Sequence, residues 1–232
     1  MTEPRCVMIS GANRGIGAAV AKRLHEAGWA LSLGMRRPAL PAWADAARVQ
    51  VCAYDATDPA SANAWAEAAL ARFGRIDALV ANAGIANPQD VVSISDGEMN
   101  ALLQVNVMGP QRLAKAAWEG LKVSGQGRVI LLGSLSGKRV KSARSGPYSV
   151  SKFAVVGLAH ALRHAGFDDG IRATAICPGF VATDMAQSLT DRDTAAMTQP
   201  EDLAQVIEMM INLPNTASVA EFHVNCQLEE SF

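Results

Sequence analysis

Short apolar runs alternate with longer alanine-rich stretches of helical spacing along most of this chain. Such alternation is typical of repeated strand–helix–strand units, which place successive strands side by side in a parallel sheet. It predicts the α/β class, with a doubly wound Rossmann architecture of seven parallel strands and helices on both faces. The predicted strands span residues 5–10, 29–34, 49–54, 77–81, 127–133, 171–177 and 220–225.

The predicted helices follow from the alanine-rich stretches and their start and stop signals. Gly28 ends the first predicted helix, and Pro147 stands in the first turn of the last. Residues 178–200 have the least regular pattern, and their length predicts a lid or a binding loop instead of a plain connection. The predicted helices span residues 16–27, 60–73, 99–123 and 147–165.

Length and composition limit the class of protein. A chain of 232 residues fits one α/β domain, so a single domain is expected over residues 1–232. Half of the residues are hydrophobic and the formal net charge is −1, which allows a packed core and gives nucleic acid or anionic lipid no long-range attraction. Residues 1–5 lack the start of a signal peptide, and no apolar run approaches the roughly 20 residues that span a bilayer. A cytoplasmic location without membrane contact is expected.

The cysteines and histidines show no metal-binding pattern. No C-x-x-C spacing occurs, and each cysteine lies in or beside an apolar, strand-like segment, so all four are expected to be reduced core thiols. The histidines fall in no ligand spacing, and no metal is expected. The residues concerned are Cys6, Cys52, Cys177, Cys226, His25, His160, His164 and His223.

A glycine-rich turn joins the first predicted strand to the first predicted helix. Gly11, Gly15 and Gly17 have the spacing G-x-x-x-G-x-G. Glycine allows positive φ and a close backbone approach, and a helix N-terminus offers unpaired N–H groups to a pyrophosphate. Three glycines alone would also fit a plain connecting turn, but their position between strand and helix favours a dinucleotide cradle.

Tyr148 and Lys152 are four residues apart at the start of a predicted helix, so both side chains project from one face. Such a pair is often only a packing contact. To act as a base near neutral pH, a tyrosine with an ordinary pKa of about 10 needs roughly 4 kcal/mol of phenolate stabilisation. An ammonium about 4 Å away supplies attraction of that size, although desolvation removes part of it. A catalytic pair is therefore energetically credible.

These motifs together resemble the short-chain dehydrogenase/reductase family, and the likeness continues through nearly the whole chain. The turn at 11–17 is similar to the family signature T/S-G-x-x-x-G-x-G. The later motifs follow in the family's order: Asn82-Ala83-Gly84, Asn106, Ser134, Tyr148-x-x-x-Lys152 and Pro178-Gly179-x-Val181-x-Thr183. Each is weak alone, but six in register indicate the family strongly. The resemblance implies an oxidoreductase that moves a hydride between NAD(P)(H) and a carbonyl or secondary alcohol.

The resemblance also implies roles for the catalytic residues. Tyr148 exchanges a proton with the substrate oxygen, and Ser134 hydrogen-bonds the same oxygen. Lys152 lowers the tyrosine pKa and holds the nicotinamide ribose. Asn106 helps to hold a water against the lysine, or else is a buried amide at a helix kink. Ser136, at the same turn as Ser134, is a less favoured alternative to it.

The cofactor contacts follow from the same resemblance. Asn82 pins neighbouring strands while its loop passes over the cofactor ribose. Asp55 accepts a hydrogen bond from the adenine, unless it is an ordinary turn aspartate. Residues 178–183 meet the nicotinamide carboxamide. The predicted contacts are Gly11, Asn13, Arg14, Gly15, Ile16, Gly17, Arg36, Asp55, Ala56, Asn82, Ala83, Gly84, Tyr148, Lys152, Pro178, Gly179, Val181 and Thr183.

The end of the second predicted strand predicts a preference for NADP(H), with NAD(H) possible. Folds that select NAD usually place a carboxylate there, whereas Met35 and its neighbours carry none. Arg36 stands where the resemblance expects a phosphate-binding arginine, and Arg14 matches the second basic position. The planar arginine fork suits phosphate oxygens. Two solvated arginines on a surface turn before Pro38 are the alternative.

Two other functions fit the same fold. A nucleotide sensor or scaffold that has lost catalysis would not need the complete set of Ser134, Tyr148, Lys152 and Asn106. An epimerase or dehydratase would usually carry a larger carboxyl-terminal domain, for which we expect no room before Phe232.

The expected partners are a small-molecule substrate and further copies of the chain. The segments expected to line the pocket mix apolar and basic residues without a pattern that identifies the substrate. The resemblance implies a homodimer or homotetramer that buries the predicted helices at 99–123 and 147–165. The stretch between the catalytic serine and tyrosine is about one residue longer than is common in the family. It is rich in basic residues, namely Lys138, Arg139, Lys141 and Arg144.

Overall fold

Parallel strands form one seven-stranded sheet in the order β3-β2-β1-β4-β5-β6-β7, which confirms the predicted fold class. The computed structural model describes residues 4–228. Residues 1–3 and 229–232 of the expected domain range therefore lie outside the described residues. The strands are β1 (Cys6–Ser10), β2 (Ala30–Met35), β3 (Val49–Ala53), β4 (Ala78–Ala81), β5 (Arg128–Leu132), β6 (Arg172–Pro178) and β7 (Glu221–Val224).

The strand order places a topological switch point between β1 and β4. The chain winds outward from β1 to β3, returns to the other side of β1 and winds outward again to β7. At such a point the loops that follow the two central strands diverge, and a crevice opens at the carboxyl edge of the sheet. The candidate site lies at this edge.

Helices cover both faces of the sheet. Those of residues 4–228 are α1 (Gly15–Glu26), α2 (Pro59–Phe73), α3 (Asp96–Leu103), α4 (Gly109–Val123), α5 (Gly146–Gly166), α6 (Asp184–Gln187) and α7 (Pro200–Asn212). One core contains Trp65 of α2 and Leu113 of α4, and the other contains Leu24 of α1 and Ile207 of α7. Each such side chain contributes about 1.5–3 kcal/mol by burial. Among these helices none is both long and apolar enough to cross a membrane.

The helix predicted at 99–123 is divided into three segments. It begins earlier than predicted, at Asp96, after a serine–glutamate capping box. A π-helical turn, Gln104–Met108, then separates α3 from α4. Pro110 follows this turn and has no N–H to donate to a carbonyl of the preceding turn, which favours a widened helix there. The predicted helix is therefore present along 99–123, with a π turn inside it that contains the buried Asn106.

Helix α7 was absent from the sequence prediction. Its local start signals are present, because Pro200 stands in its first turn and Gln199 and Asp202 form a capping box. The helix packs against α1 and provides the crossover from β6 to β7. Its amphipathic face is part of the second core and not of a surface loop.

The stretch predicted as a lid, 178–200, contains more regular structure than expected. It includes α6 and a short 3-10 turn, and a bridge pairs Val181 with Thr198. Both bridge residues and Met197 are buried. The ends of the stretch are therefore anchored, and movement of the part between them stays a prediction.

The cysteines are free thiols, two of them in the core. Cys6 and Cys177 are buried, as predicted, whereas Cys52 and Cys226 are only partly buried. Burial raises the pKa of Cys6 to about 12 and that of Cys177 to about 11. A thiol is reactive as the thiolate, so these two are expected to be inert near neutral pH.

Candidate active site

A cleft of about 1370 Å³ opens at the carboxyl edge of the sheet. It exceeds the roughly 300–1,000 Å³ of ordinary small-molecule pockets, which leaves room for a dinucleotide together with a small substrate. Every predicted site residue lines it except Gly17 and Asn106, which lie behind its wall. The structure thus brings the predicted catalytic and cofactor residues together in one cavity.

The glycine-rich turn forms one end of the cleft. Gly11 and Gly15 have positive φ values of 65° and 54°, as the cradle prediction requires. A Cβ at Gly17 would lie 2.3 Å from the carbonyl oxygen of Gly11, so α1 and the turn approach too closely for any side chain there. No side chain caps the start of α1 and its first turn has no acidic residue. These N–H groups fit a phosphate anion.

Asn82 holds this turn to the neighbouring strand, as predicted. Its Nδ2 donates hydrogen bonds to the carbonyl oxygens of Ser10 and Gly11, at 3.1 and 3.2 Å. In return, the Ser10 hydroxyl accepts hydrogen bonds from the backbone N–H groups of Asn82 and Ala83, both at 3.0 Å. The ends of β1 and β4 are therefore fixed to each other where the cleft begins.

The residues after β6 fold back over the cradle. Gly179 donates its N–H to the carbonyl oxygen of Val224 at 2.8 Å. Thr183 caps α6, and a Cβ at Gly15 would lie only 3.0 Å from the Thr183 methyl carbon. Residues 178–183, which the sequence analysis assigned to the nicotinamide, thus border the glycine-rich turn at 11–17, which it assigned to the pyrophosphate.

Ser134, Tyr148 and Lys152 meet at the other end of the cleft. The Ser134 hydroxyl donates a hydrogen bond to the carbonyl oxygen of Pro178 at 3.4 Å and lies near enough to the phenol of Tyr148 to act on its pKa, which favours Ser134 over Ser136 as the predicted catalytic serine. Ser134 also accepts the N–H of Ser136 at 3.1 Å, so its orientation is fixed. Lys152 Nζ donates to the carbonyl oxygen of Leu132 at 2.6 Å and lies 5.6 Å from the centroid of the Tyr148 ring.

Burial shifts the pKa values of both titratable groups. It raises the pKa of Tyr148 to about 12, although the neighbouring Ser134 hydroxyl acts in the opposite direction. It also lowers the pKa of Lys152 to about 8. The sequence argument expected the lysine to lower the tyrosine pKa, but desolvation dominates in this geometry. Near pH 7, Tyr148 is a protonated phenol that can donate a proton.

Asn106 fastens the loop after β4 to α5. Its Oδ1 accepts the N–H of Ile85 and its Nδ2 donates to the Ile85 carbonyl oxygen, both at 2.9 Å. The Nδ2 also donates to the Ser151 hydroxyl at 3.0 Å. Asn106 Oδ1 and Lys152 Nζ both face the open side of Gly84. These contacts match the alternative of a buried, satisfied amide, while the water-holding role stays a prediction.

Asp55 is an exposed residue at the cradle end of the cleft. Its Oδ1 accepts hydrogen bonds from the N–H of Thr57 at 2.9 Å and from the Thr57 hydroxyl at 2.7 Å. These bonds, the backbone one first, lower the pKa of Asp55. Such a turn fixes the carboxylate beside Arg36 at the cleft wall, and the adenine contact stays a prediction.

The two arginines of the cofactor prediction differ in their surroundings. Arg36 is exposed and lines the cleft together with Arg37. Arg14 instead forms an ion pair with Asp184, at 2.7 Å, with both side chains about two-thirds exposed (67% and 68%). Sequence reasoning did not find this pair, because the partners are far apart along the chain. An exposed pair contributes only about 0–1 kcal/mol, so a phosphate could displace Asp184.

Sequence reasoning also missed a charged cluster centred on Glu221. Its carboxylate accepts hydrogen bonds from Lys138 at 2.8 Å, His160 at 2.7 Å and His223 at 2.9 Å. Burial acts to raise the pKa of Glu221, but these bonds hold it at about 2. Ligand atoms of Cys177, Glu221 and His223 lie within 4.8 Å of one another. Because the carboxylate already pairs with an ammonium, we interpret the cluster as an ion-pair network.

A doubly wound sheet with a glycine cradle and a serine, tyrosine and lysine at its carboxyl edge is the arrangement of a dinucleotide-binding oxidoreductase. The family model for short chain dehydrogenase matches residues 5–194, and the chain belongs to that family. It is 36% identical over 232 residues to the agropine synthesis reductase of Rhizobium rhizogenes. That match covers 96% of this chain and 53% of the relative, so the chain spans about half the length of this curated relative.

Two solved structures share the fold. An alcohol dehydrogenase from the archaeon Thermococcus sibiricus, complexed with 5-hydroxy-NADP, has a TM-score of 0.85 at 26% identity and covers 98% of this chain and 100% of its own. The 3-ketoacyl-(acyl-carrier-protein) reductase from Brucella melitensis, complexed with NADH, has a TM-score of 0.88 at 24% identity. The match covers 97% of this chain and 98% of the reductase chain, and at this identity the likeness shows only that the two share a fold. The predicted family and fold class are confirmed.

Proposed function

We propose that this chain is an NADP(H)-dependent oxidoreductase that transfers a hydride between the nicotinamide and a carbonyl or secondary alcohol of a small molecule, with Tyr148 as acid and base. NAD(H) is the possible second cofactor. The observation that carries the proposal is the meeting of Ser134, Tyr148 and Lys152 at one end of a cleft whose other end is a glycine cradle. Membership of an oxidoreductase family supports the reaction class.

The cradle end supplies the cofactor site. The uncapped first turn of α1 and the backbone of Gly11 and Gly15 would hold the pyrophosphate, and Arg36 would hold a 2′-phosphate. The bound nicotinamide supplies or accepts the hydride. The folded-back segment with Thr183 orients the nicotinamide end, and such orientation can account for several kcal/mol of the barrier.

The catalytic end supplies the proton. When a carbonyl is reduced, its oxygen must gain a proton as its carbon gains the hydride. The raised pKa of Tyr148 keeps the phenol protonated for this donation. Ser134 lies beside the phenol and would hydrogen-bond the same substrate oxygen. In the direction of alcohol oxidation Tyr148 must lose its proton, and the ammonium of Lys152 favours the phenolate that results.

A panel of aldehydes, ketones and secondary alcohols tests this function. Each is assayed with NADPH or NADP, and with NADH or NAD, through the absorbance of the reduced nicotinamide. Turnover of at least one carbonyl or alcohol class supports the proposal. Cofactor binding without turnover across the whole panel would overturn it in favour of a catalytically idle nucleotide sensor or scaffold.

We further propose that residues 1–232 form one cytoplasmic domain that assembles as a homodimer or homotetramer and has no nucleic acid or membrane partner. Helix α5 presents Val150 and Phe153 at nearly half exposure (45% and 46%), on one of the two helices for which the family resemblance implies burial between subunits. Light scattering should give a multiple of the 24.4 kDa chain mass. A single-chain mass across micromolar concentrations would rule out the assembly.

A further inference from the structure

Two serines of α5 are fully buried beside the catalytic residues. Ser149 and Ser151 lie between Tyr148 and Lys152 in the sequence, in the same turn of the helix. The Ser149 hydroxyl has no hydrogen-bond partner among the residues that the structure describes. The Ser151 hydroxyl takes part in two hydrogen bonds. The two positions therefore share their burial and their place in the helix but differ in hydrogen bonding.

The hydrogen bonds of Ser151 have a single possible direction. Its hydroxyl donates to the carbonyl oxygen of Tyr148 at 2.7 Å, because a carbonyl oxygen only accepts. A hydroxyl has one proton, so Ser151 Oγ must accept its other bond from Asn106 Nδ2, at 3.0 Å. The Asn106 amide is oriented in turn, since its Oδ1 accepts the Ile85 N–H at 2.9 Å. A directed chain of hydrogen bonds thus runs from the Ile85 backbone through both side chains to the Tyr148 backbone.

This chain connects the two walls of the cleft. Residues 84–88 line the cleft on one side, and Tyr148 lines it on the other. Residues 82–90 contain no helix or strand, and both backbone polar groups of Ile85 bond to Asn106. Asn106 and Ser151 are buried, and buried hydrogen bonds strengthen one another, whereas a buried polar group that loses its partner is costly. The connection between loop and helix is therefore stiff.

We propose that Ser151 is a positioning residue of the reaction, which acts through Asn106 to set the distance between Tyr148 and a cofactor bound against residues 84–88. The inference rests on the proposed oxidoreductase function. A carbonyl gains its hydride and its proton on adjacent atoms, so the nicotinamide and the proton donor need a fixed separation. A misplacement of about 1 Å can cost about a hundredfold in rate. Ser151 itself does not line the cleft and touches none of the reacting atoms.

Paired alanine substitutions in the full chain test this role. With a carbonyl substrate found in the panel, we expect Ser151→Ala to lower kcat about tenfold, part of what such a misplacement costs. The KM for the cofactor should stay close to the wild-type value, because the cradle and Arg36 are unaltered. Ser149→Ala removes an equally buried hydroxyl that links nothing, and its kcat should match that of the wild type. An unchanged kcat in Ser151→Ala, or an equal fall in both variants, overturns the proposal.

A double-mutant cycle shows whether Ser151 acts through Asn106. Asn106→Ala already interrupts the chain of hydrogen bonds between the loop and α5. Adding Ser151→Ala to it should therefore lower kcat much less than the about tenfold loss expected in the wild-type background. If the two losses multiply in full, the residues act independently and the proposed route is wrong.

Hydrogen exchange separates this inference from the proposed function, because it needs no turnover. The Ile85 N–H bonds to Asn106, so amides of 84–87 should exchange faster in Ser151→Ala than in the wild type, with NADPH bound or absent. Ser149→Ala should exchange like the wild type there. Faster exchange in Ser151→Ala alone supports the link even if the wild type reduces no compound of the panel. Exchange equal to that of the wild type overturns it even if the enzyme is active.

Discussion

Replacing Gly17 by alanine tests the cradle, because the structure leaves no space for a methyl group there. The new Cβ would lie 2.3 Å from the Gly11 carbonyl oxygen and 2.6 Å from Nδ2 of Asn82. Close carbon–oxygen contacts in proteins have separations of about 3.3–3.6 Å. The start of α1 must therefore move by about 1 Å away from the turn.

The magnitude follows from two opposing effects. Overpacking of a well-packed site costs about 1–3 kcal/mol, whereas alanine is a better helix former than glycine by about 0.8–1.0 kcal/mol. We expect a net loss of about 1 kcal/mol in the free energy of unfolding. The dinucleotide loses more, because the displaced N–H groups no longer match the pyrophosphate. A cost of 1.4 kcal/mol there corresponds to about tenfold weaker binding.

Cofactor titration by calorimetry and urea unfolding measure the two effects. Gly97→Ala is the matched control, since a Cβ there would meet nothing within 4 Å. It should leave cofactor affinity unchanged and raise stability by about 0.5–1 kcal/mol, the ordinary gain for glycine in a helix. Unchanged affinity in Gly17→Ala, or an equal loss in both variants, would refute the steric argument.

Two further predictions concern charge. The pKa of Glu221 lies below its ordinary 4.5, so its network stabilises the fold above that pH and is lost as pH falls toward about 2. We expect Glu221→Gln to lower the free energy of unfolding by about 1–2 kcal/mol at pH 7, after solvent screening. Thermal scans should show the difference in stability between wild type and variant shrinking below pH 4.5, and a difference that stays constant with pH would contradict this. Arg36→Asp should shift kcat/KM toward NAD(H) by about tenfold to hundredfold, and an NAD-favouring wild type or an unshifted variant would contradict the cofactor assignment.

Local patterns predicted the sheet well. Strands of a doubly wound sheet are buried on both faces, and their short apolar runs are visible in the sequence. Every predicted strand overlaps an observed one, and no boundary differs by more than one residue. The glycine cradle could also be predicted, because positive φ at Gly11 and Gly15 follows from a tight turn between strand and helix.

Pairings between residues far apart along the chain could not be predicted from the sequence. The ion pair of Arg14 with Asp184 and the cluster around Glu221 join residues from distant segments, which no spacing rule connects. The π turn at Gln104–Met108 depends on two effects together, the missing N–H of Pro110 and the hydrogen bonds of the buried Asn106. The burial that raises the pKa of Tyr148 could not be predicted either, because the sequence gives the charge of Lys152 but not the depth at which the two side chains lie.

Turnover by Tyr148→Phe tests the central claim most directly. The substitution removes one hydroxyl and keeps the ring, so the cofactor affinity should stay close to that of the wild type. With a carbonyl substrate found in the panel, we expect kcat to fall by about 10²–10⁴, the usual contribution of a general acid. If the variant kept more than about a tenth of the wild-type rate, it would have lost less than about 1.4 kcal/mol of transition-state stabilisation. That result would contradict the role of Tyr148 as the proton donor.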